Sequence, residues 1–394
     1  MGRRVAFVPP RYGDDVVGGS EAVMREAAHG LAARGWEVEV LTTCVRDHFT
    51  WANAYPPGVF ETPDGVRVHR FPVVHDAHRG VPHEVAQRIQ MRLPVSPEEE
   101  IAWVSGFFRV PDLFHHLVTQ APTFGAVIFS PYLFWSTVVG SLAAPERAVV
   151  VPCLHDEPAA YLSVFRRVLS QPAQVWFLSE PEHRLAHRLG PVAAHHPVVG
   201  SGVQIPASYD PEGFRVRHGL KAPFVLYAGR REIMKGWNDM LAAYTRAVTR
   251  FGLDLDLVTV GVGEVAPPPE VADRVIDLGF LPESEIGDAF AAAAAYLQPS
   301  PHESFSRTTM EAWLAGTPVI ATAAGDVVRW HCERSGAGLV YADEYELAEC
   351  LALVAEAPEA LRRLAAAGRD YVLTNYTWDA VLDRMEAALE RMPS

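Results

Sequence analysis

Lysine is almost missing from this chain. Only Lys221 and Lys235 occur in 394 residues, while arginine is common, so a lysine inside a motif stands out from its background. Cysteine is scarce as well. Cys44, Cys153, Cys332 and Cys350 form no Cys-x-x-Cys pair, which argues against a structural zinc site, and nothing requires a disulfide. Positive charge is in deficit, with a formal net charge of −14. That argues against nonspecific nucleic-acid binding, because a phosphate polyanion needs a basic surface. No apolar run reaches the ~20 residues of a membrane span. No basic amphipathic stretch argues for a membrane surface, although peripheral contact stays open. The opening Met1-Gly2-Arg3-Arg4-Val5-Ala6-Phe7-Val8-Pro9-Pro10 has too short an apolar run for a signal-peptide core and no small-residue cleavage site after it. The expected location is the cytoplasm.

What is present is ordinary globular composition, 49% hydrophobic and 21% charged, at a length that suits two domains. Val5-Ala6-Phe7-Val8 reads as a buried parallel strand, and a loop runs from Pro9 to Gly19. Ser20 to Ala33 carries apolar residues at helical spacing, with Ser20 as the expected N-cap and Gly35 as the stop. Val38 to Leu41 closes one βαβ unit. Pro63-Asp64-Gly65 marks a hairpin leading to Val66–Phe71, and helices are expected at Glu98–Phe108 and Leu113–Val118. Further strands are expected at Ala126–Phe129, Ala148–Val151 and Val175–Leu178.

Pro197 to Pro211 is rich in Gly, Pro and Ser and reads as a hinge. A second alternation follows, with strands at Phe224–Ala228, Leu255–Val260, Val275–Leu278, Tyr296–Gln298 and Val319–Ala321. Trp237–Phe251 is among the helices that separate them, Glu344–Glu356 follows them, and Trp378–Met392 is a last helix placed to return to the first domain. The expected fold is α/β: two doubly wound, Rossmann-like domains facing across a cleft, one at 1–203 plus 375–394 and the other at 204–374.

Two constellations carry chemistry. Gly229-Arg230-Arg231-Glu232-Ile233-Met234-Lys235-Gly236 sits between a strand and a helix. Arg230 at the strand end and Lys235 at the helix start are placed to converge on a diphosphate and to stabilise it as a leaving group without a metal. A solvated basic loop is the bland alternative, and strand–loop–helix context weighs against it. Glu303-Ser304-Phe305-Ser306-Arg307-Thr308-Thr309-Met310-Glu311 spans the next loop and helix start. Free N–H groups near Phe305 and Ser306 can hold an anion. A carboxylate accepts hydrogen bonds from vicinal hydroxyls, which suits Glu311 to a ribose and Glu303 to a sugar ring. Two solvated helix charges are the bland reading, weakened because Met310, Ala312, Trp313 and Leu314 surround Glu311 with apolar neighbours.

Other features are weaker. Gly261-Val262-Gly263-Glu264-Val265-Ala266 fits a dinucleotide fingerprint, but three prolines follow and no helix can open there. Asp254-Leu255-Asp256 leads into a strand instead of ending one, which removes the only support for a metal. His115-His116 and His195-His196 lack partners at ligand spacing and read as surface residues. Trp51, Tyr132, Phe134 and Trp135 are candidate stacking surfaces for an acceptor, although such aromatics are more often core.

Together the motifs resemble glycosyltransferase family 4, whose members have the GT-B fold, and the resemblance covers most of the chain. It implies a metal-independent, retaining enzyme that moves a hexosyl group from a nucleotide-diphosphate sugar to a hydroxyl acceptor, without a cofactor. Arg230 and Lys235 would hold the donor pyrophosphate, Glu311 the ribose and Glu303 the donor sugar, with Ser304, Phe305 and Ser306 lining the donor. Gly18-Gly19 matches the family's glycine-rich loop near the phosphates, and His155, ending Val151-Pro152-Cys153-Leu154-His155, matches a histidine at the reaction centre. Trp330 to Tyr341 looks like a loop shared with a bacterial subgroup. The hinge departs from the pattern: where many members have Asn-Gly-Val-Asp, this chain has Ser201-Gly202-Val203-Gln204, so Gln204 is given no role. A nucleotide-sugar epimerase of the same fold and a noncatalytic nucleotide- or carbohydrate-binding protein are the alternatives. Donor base, sugar and acceptor stay open.

Overall fold

Short apolar runs that alternate with amphipathic helices can bury both faces only in a parallel sheet covered on each side. A computed structural model, which describes residues 3–75 and 81–393, shows two such sheets. The chain divides into one unit of Met1–Gly202 with Trp378–Ser394 and a second of Val203–Thr377. The second unit thus begins at Val203 and keeps residues 375–377, which were expected in the first. A bridge between Val203 and Thr377 explains this, since it holds the two ends of the second unit side by side.

The first unit contains β1 (Arg4–Val8), β2 (Glu37–Thr43), β3 (Gly58–Glu61), β4 (Arg67–Phe71), β5 (Ala126–Phe129), β6 (Ala148–Val150) and β7 (Gln174–Val175). Their order is β3-β4-β2-β1-β5-β6-β7. Among these strands the β3–β4 pair is antiparallel and the other pairs are parallel. β7 is shorter than the strand expected at Val175–Leu178. Beyond it the chain keeps only a bridge from Phe177 to Val198, because residues 195–198 pair alongside it as isolated bridges rather than a ladder.

Ser20 does not cap the first helix. That helix starts at Gly19 with Gly18 at the cap position, and the Ser20 hydroxyl donates to Glu21 instead, at 2.7 Å. The final helix, Trp378–Leu389, buries Val381, Leu382, Met385 and Leu389. Arg34 anchors it through Asp383 at 2.6 Å and Glu386 at 2.8 Å, and the Trp36 indole N–H donates to Glu386 at 2.7 Å.

The second unit contains β8 (Phe224–Ala228), β9 (Asp256–Val260), β10 (Val275–Asp277), β11 (Ala295–Gln298), β12 (Val319–Thr322) and β13 (Gly338–Tyr341), all parallel, in the order β10-β9-β8-β11-β12-β13. The stretch 330–341, expected as a loop, is regular. It comprises the end of the helix Asp326–Ser335, whose Val327, Val328, His331 and Cys332 are buried, and the strand β13. Gly336, left-handed at φ 64°, stops the helix between them. All four cysteines are buried and none forms a disulfide. No helix among the described residues is long and apolar enough to cross a membrane.

Candidate functional site

In the second sheet the strand order reverses between β8 and β11. Loops at the carboxyl ends of two such strands leave on opposite sides and open a crevice between them. Both constellations singled out in the sequence lie on these two loops or at the helix start that follows the second.

The loop after β8 is pinned from below. Arg231, a buried residue, donates to the Thr259 hydroxyl at 3.0 Å and to the carbonyls of Gly261 and Gly263 at 3.0 and 2.9 Å, and it pairs with Asp277. Gly261 has φ 134°, and a Cβ there would lie 2.1 Å from the carbonyl oxygen of Gly229. The Gly261-Val262-Gly263 segment therefore serves close backbone packing of two loops. Arg230 is the exposed neighbour. Its backbone carbonyl accepts the Tyr227 hydroxyl at 2.6 Å, and its guanidinium, 44% exposed, pairs with Glu232 at 3.1 Å.

Lys235 crosses to the other loop. Its Nζ donates to Glu303 Oε1 at 2.8 Å and lies 3.4 Å from the His302 carbonyl. The adjoining Gly236 has φ 71°, and a Cβ there would meet the Pro299 carbonyl oxygen at 2.3 Å. Only glycine lets the two loops come this close.

The loop after β11 is shaped by Gln298. Its Oε1 accepts from Ser300 N–H at 3.1 Å, and its Nε2 donates to Ser306 Oγ at 2.8 Å. Ser306 takes a left-handed φ of 67° at the position before the helix Arg307–Leu314, without a side-chain capping bond. Phe305 turns inward and packs edge-on against His331 and Tyr376, at 5.2 and 4.9 Å between centroids. Glu303 and Ser304 stay partly exposed. Glu311, one helical turn on from Arg307, sits 3.9 Å from it.

In the first unit, Gly18-Gly19 opens the first helix after β1. A Cβ on Gly18 would lie 2.2 Å from Glu21 Oε2, while Glu21 forms a buried ion pair with Arg11. His155 follows β6. It faces Glu157 at 3.7 Å, and Glu157 also accepts the Tyr132 hydroxyl at 2.8 Å. Beneath this loop Glu182 is wholly buried and accepts the N–H groups of Leu154 at 2.7 Å and Leu178 at 2.5 Å. Burial pushes its carboxyl up to about 8, against the pull of those donors.

Some expectations fail. Tyr132 is fully buried and Trp51 nearly so, both in the core of the first unit, so neither offers a stacking face. Phe134 and Trp135 are partly buried against the same core. His196 is not a lone surface residue, since it reaches His183 at 3.0 Å. His116 is half-buried between His69 and Phe71. Sequence reasoning also passed over Arg231, Gln298, Glu182 and the Arg11–Glu21 pair. Gln298 carries a readable signal, a polar residue ending an apolar strand; Glu182 carries none.

Comparison with known proteins places this geometry. Residues 18–202 match the family described as glycosyl transferase 4-like domain, and residues 222–356 the family described as glycosyl transferases group 1. The 2-deoxystreptamine glucosyltransferase of Streptomyces kanamyceticus is 34% identical over 29% of this chain and 32% of its own length. The D-inositol 3-phosphate glycosyltransferase of Jonesia denitrificans is 26% identical over 97% of this chain and 92% of its own. The MMP alpha-(1->4)-mannosyltransferase of Mycolicibacterium hassiacum is 27% identical over 48% of this chain and 47% of its own length, so the chain spans only a third to a half of this relative and of the 2-deoxystreptamine glucosyltransferase. Among solved structures, the sucrose-phosphate synthase of Thermosynechococcus elongatus superposes with a TM-score of 0.74 at 21% identity, covering 98% of each chain. HepE of Anabaena in complex with UDP-glucose gives 0.70 at 16% identity, covering 98% of this chain and 99% of its own. The fold is that of these proteins, two parallel-sheet Rossmann-like domains with flanking helices.

Proposed function

We propose that this chain, whose two matched stretches support a glycosyltransferase of the family 4 type, moves a hexosyl group from a nucleotide-diphosphate sugar to a hydroxyl acceptor with retention of configuration and without a metal. The observation that carries the reading is the Lys235–Glu303 contact at the reversal point of the second sheet. There a fixed cation and a carboxylate stand side by side on separate loops. A departing diphosphate is stabilised by the two positive charges of Lys235 and Arg230, and the part of that attraction that grows as the bond breaks lowers the barrier. Glu303, still within reach of Lys235, accepts hydroxyls of the sugar ring. Glu311 accepts the ribose diol, and the N–H groups at the start of the helix Arg307–Leu314 receive the phosphates, with Ser304, Phe305 and Ser306 at their entrance. The structure of HepE with UDP-glucose supports a nucleotide-sugar as donor.

In the reaction the C1–oxygen bond to the diphosphate breaks and its electron pair leaves with the phosphate oxygen. The acceptor oxygen bonds to C1 from the same face, and its proton passes to the released diphosphate. By resemblance to the family's motifs, we assign His155 to the donor sugar and Gly18-Gly19 to the phosphates.

The test uses the full chain. A thermal-shift screen over UDP-, GDP- and ADP-sugars selects the donor, because a ligand bound by the folded state raises apparent stability. Transfer or donor hydrolysis is then followed with EDTA present. Turnover that survives EDTA and disappears in Lys235→Ala and Arg230→Ala supports the reading. Conversion of the donor to its epimer would replace it by an epimerase, and nucleotide binding without turnover on any acceptor would replace it by a binding protein.

A further inference from the structure

Three imidazoles converge in the first unit, none of them on a residue given a role above. His183 and His187 lie four positions apart on the helix Glu180–Leu189, so one helical turn brings both rings to the same face. His196 comes from the segment that runs beside β7, where Val175 N–H donates to the His195 carbonyl at 3.0 Å and Phe177 N–H to the Pro197 carbonyl at 2.9 Å. His183 Nε2 lies 3.0 Å from His196 Nδ1 and 3.2 Å from His187 Nε2. One ligand nitrogen from each of the three falls within 4.8 Å of the others.

A single ring nitrogen cannot satisfy both neighbours well. Nε2 of His183 either donates one proton or accepts one, and its two partners stand in different directions. A divalent cation resolves the conflict. Tetrahedral zinc with bonds of 2.0–2.1 Å sets its ligand nitrogens about 3.3 Å apart, close to the 3.0 and 3.2 Å that His183 keeps to His196 and His187. The other nitrogen of His183, Nδ1, faces Glu180 Oε2 at 3.7 Å, the position of the carboxylate that commonly orients a metal-bound imidazole. Arg184 is the nearby opposing charge. Three imidazoles without thiolate suit zinc, nickel or copper ahead of calcium or magnesium.

We propose that His183, His187 and His196 form a divalent transition-metal site, with zinc as the fitting occupant, water as a fourth ligand and Glu180 as the outer partner. Bound metal would clasp the helix Glu180–Leu189 to the strand-like segment 195–198 that leads out of the first unit. The site is structural. None of its residues belongs to the proposed transfer chemistry, so it stands whether or not that chemistry does.

Cobalt(II), a spectroscopic substitute for zinc, is titrated into the metal-free full chain at neutral pH. The expected result is one equivalent bound in the micromolar range, with the intense visible absorption of a tetrahedral site, displaced by one equivalent of zinc. Zinc also raises the melting temperature. His187→Ala, at an exposed position that leaves the fold intact, lowers cobalt affinity at least tenfold. His196→Gln does the same, while His195→Ala leaves it unchanged. The chain contains 16 histidines, so assignment rests on these variants. Absence of saturable cobalt and zinc binding, or binding that survives His187→Ala and His196→Gln unchanged, overturns the proposal.

Discussion

Lys235 and Glu303 are 68 residues apart in sequence, yet Nζ and Oε1 lie 2.8 Å from each other. The meeting follows from the strand order, since β8 and β11 are neighbours only because the sheet reverses there. Side-chain exposures of 26% and 16% leave the pair part-screened by water, so its value lies in where it sets the charges rather than in stability.

If that placement serves a leaving diphosphate, Lys235→Ala reduces kcat/KM for transfer about a hundredfold, the usual scale for losing one fixed electrostatic contact. The melting temperature stays nearly unchanged. Steady-state kinetics with a saturating acceptor would read it, and an unaltered kcat/KM would remove Lys235 from the site.

Gly236→Ala attacks the same site through the backbone. The left-handed φ of 71° and the Pro299 carbonyl 2.3 Å from the new Cβ force the two loops apart. A cost of about 1–3 kcal/mol in stability is expected from strain, with a rise in KM for the donor. Chemical denaturation and donor titration measure the two effects separately.

Glu182 predicts a pH dependence for the first unit. Burial raises its carboxyl to about 8 from its ordinary 4.5. The folded state therefore holds a proton that the unfolded chain releases more easily. Its stabilising contribution is complete below 4.5 and is lost as pH climbs to about 8, with a slope of about 1.4 kcal/mol per pH unit. Urea unfolding followed by the buried Trp176 should show this decline, and Glu182→Gln should flatten it. A wild-type profile that is level across the window contradicts the assignment.

His331 predicts the opposite sign for the second unit. Buried beneath the loop that carries Phe305, it donates to or accepts from the Tyr371 hydroxyl at 3.0 Å, and burial lowers its imidazole to about 3. The unfolded chain takes up a proton near 6.5 that the folded one refuses. Stability is full above 6.5 and falls as pH drops toward 3, again by about 1.4 kcal/mol per pH unit. Unfolding read through the buried Trp313 tests it; His331→Phe removes the acid sensitivity.

By itself the sequence determined the local grammar. Apolar runs such as Phe224–Ala228 and Ala126–Phe129 became strands with the expected ends, because a fully buried parallel strand admits no polar interruption. Trp237–Phe251 and Glu344–Glu356 became helices over the expected residues, because their apolar spacing dictates a buried face. Both loops of the candidate site were legible for the same reason, as polar segments between such elements.

Only the tertiary structure decided which loops meet. It separated Arg230, exposed on Glu232, from Arg231, buried on Asp277, although the two are adjacent and chemically identical. It consumed Tyr132 and Trp51 in the core. It brought His196 to His183 and His187, a cluster that spacing hides because one member lies on a different element. The reason is physical. Periodicity fixes which face of an element is apolar, but strand order and the packing of one element on another fix which polar atoms share a crevice, and neither is written in local spacing.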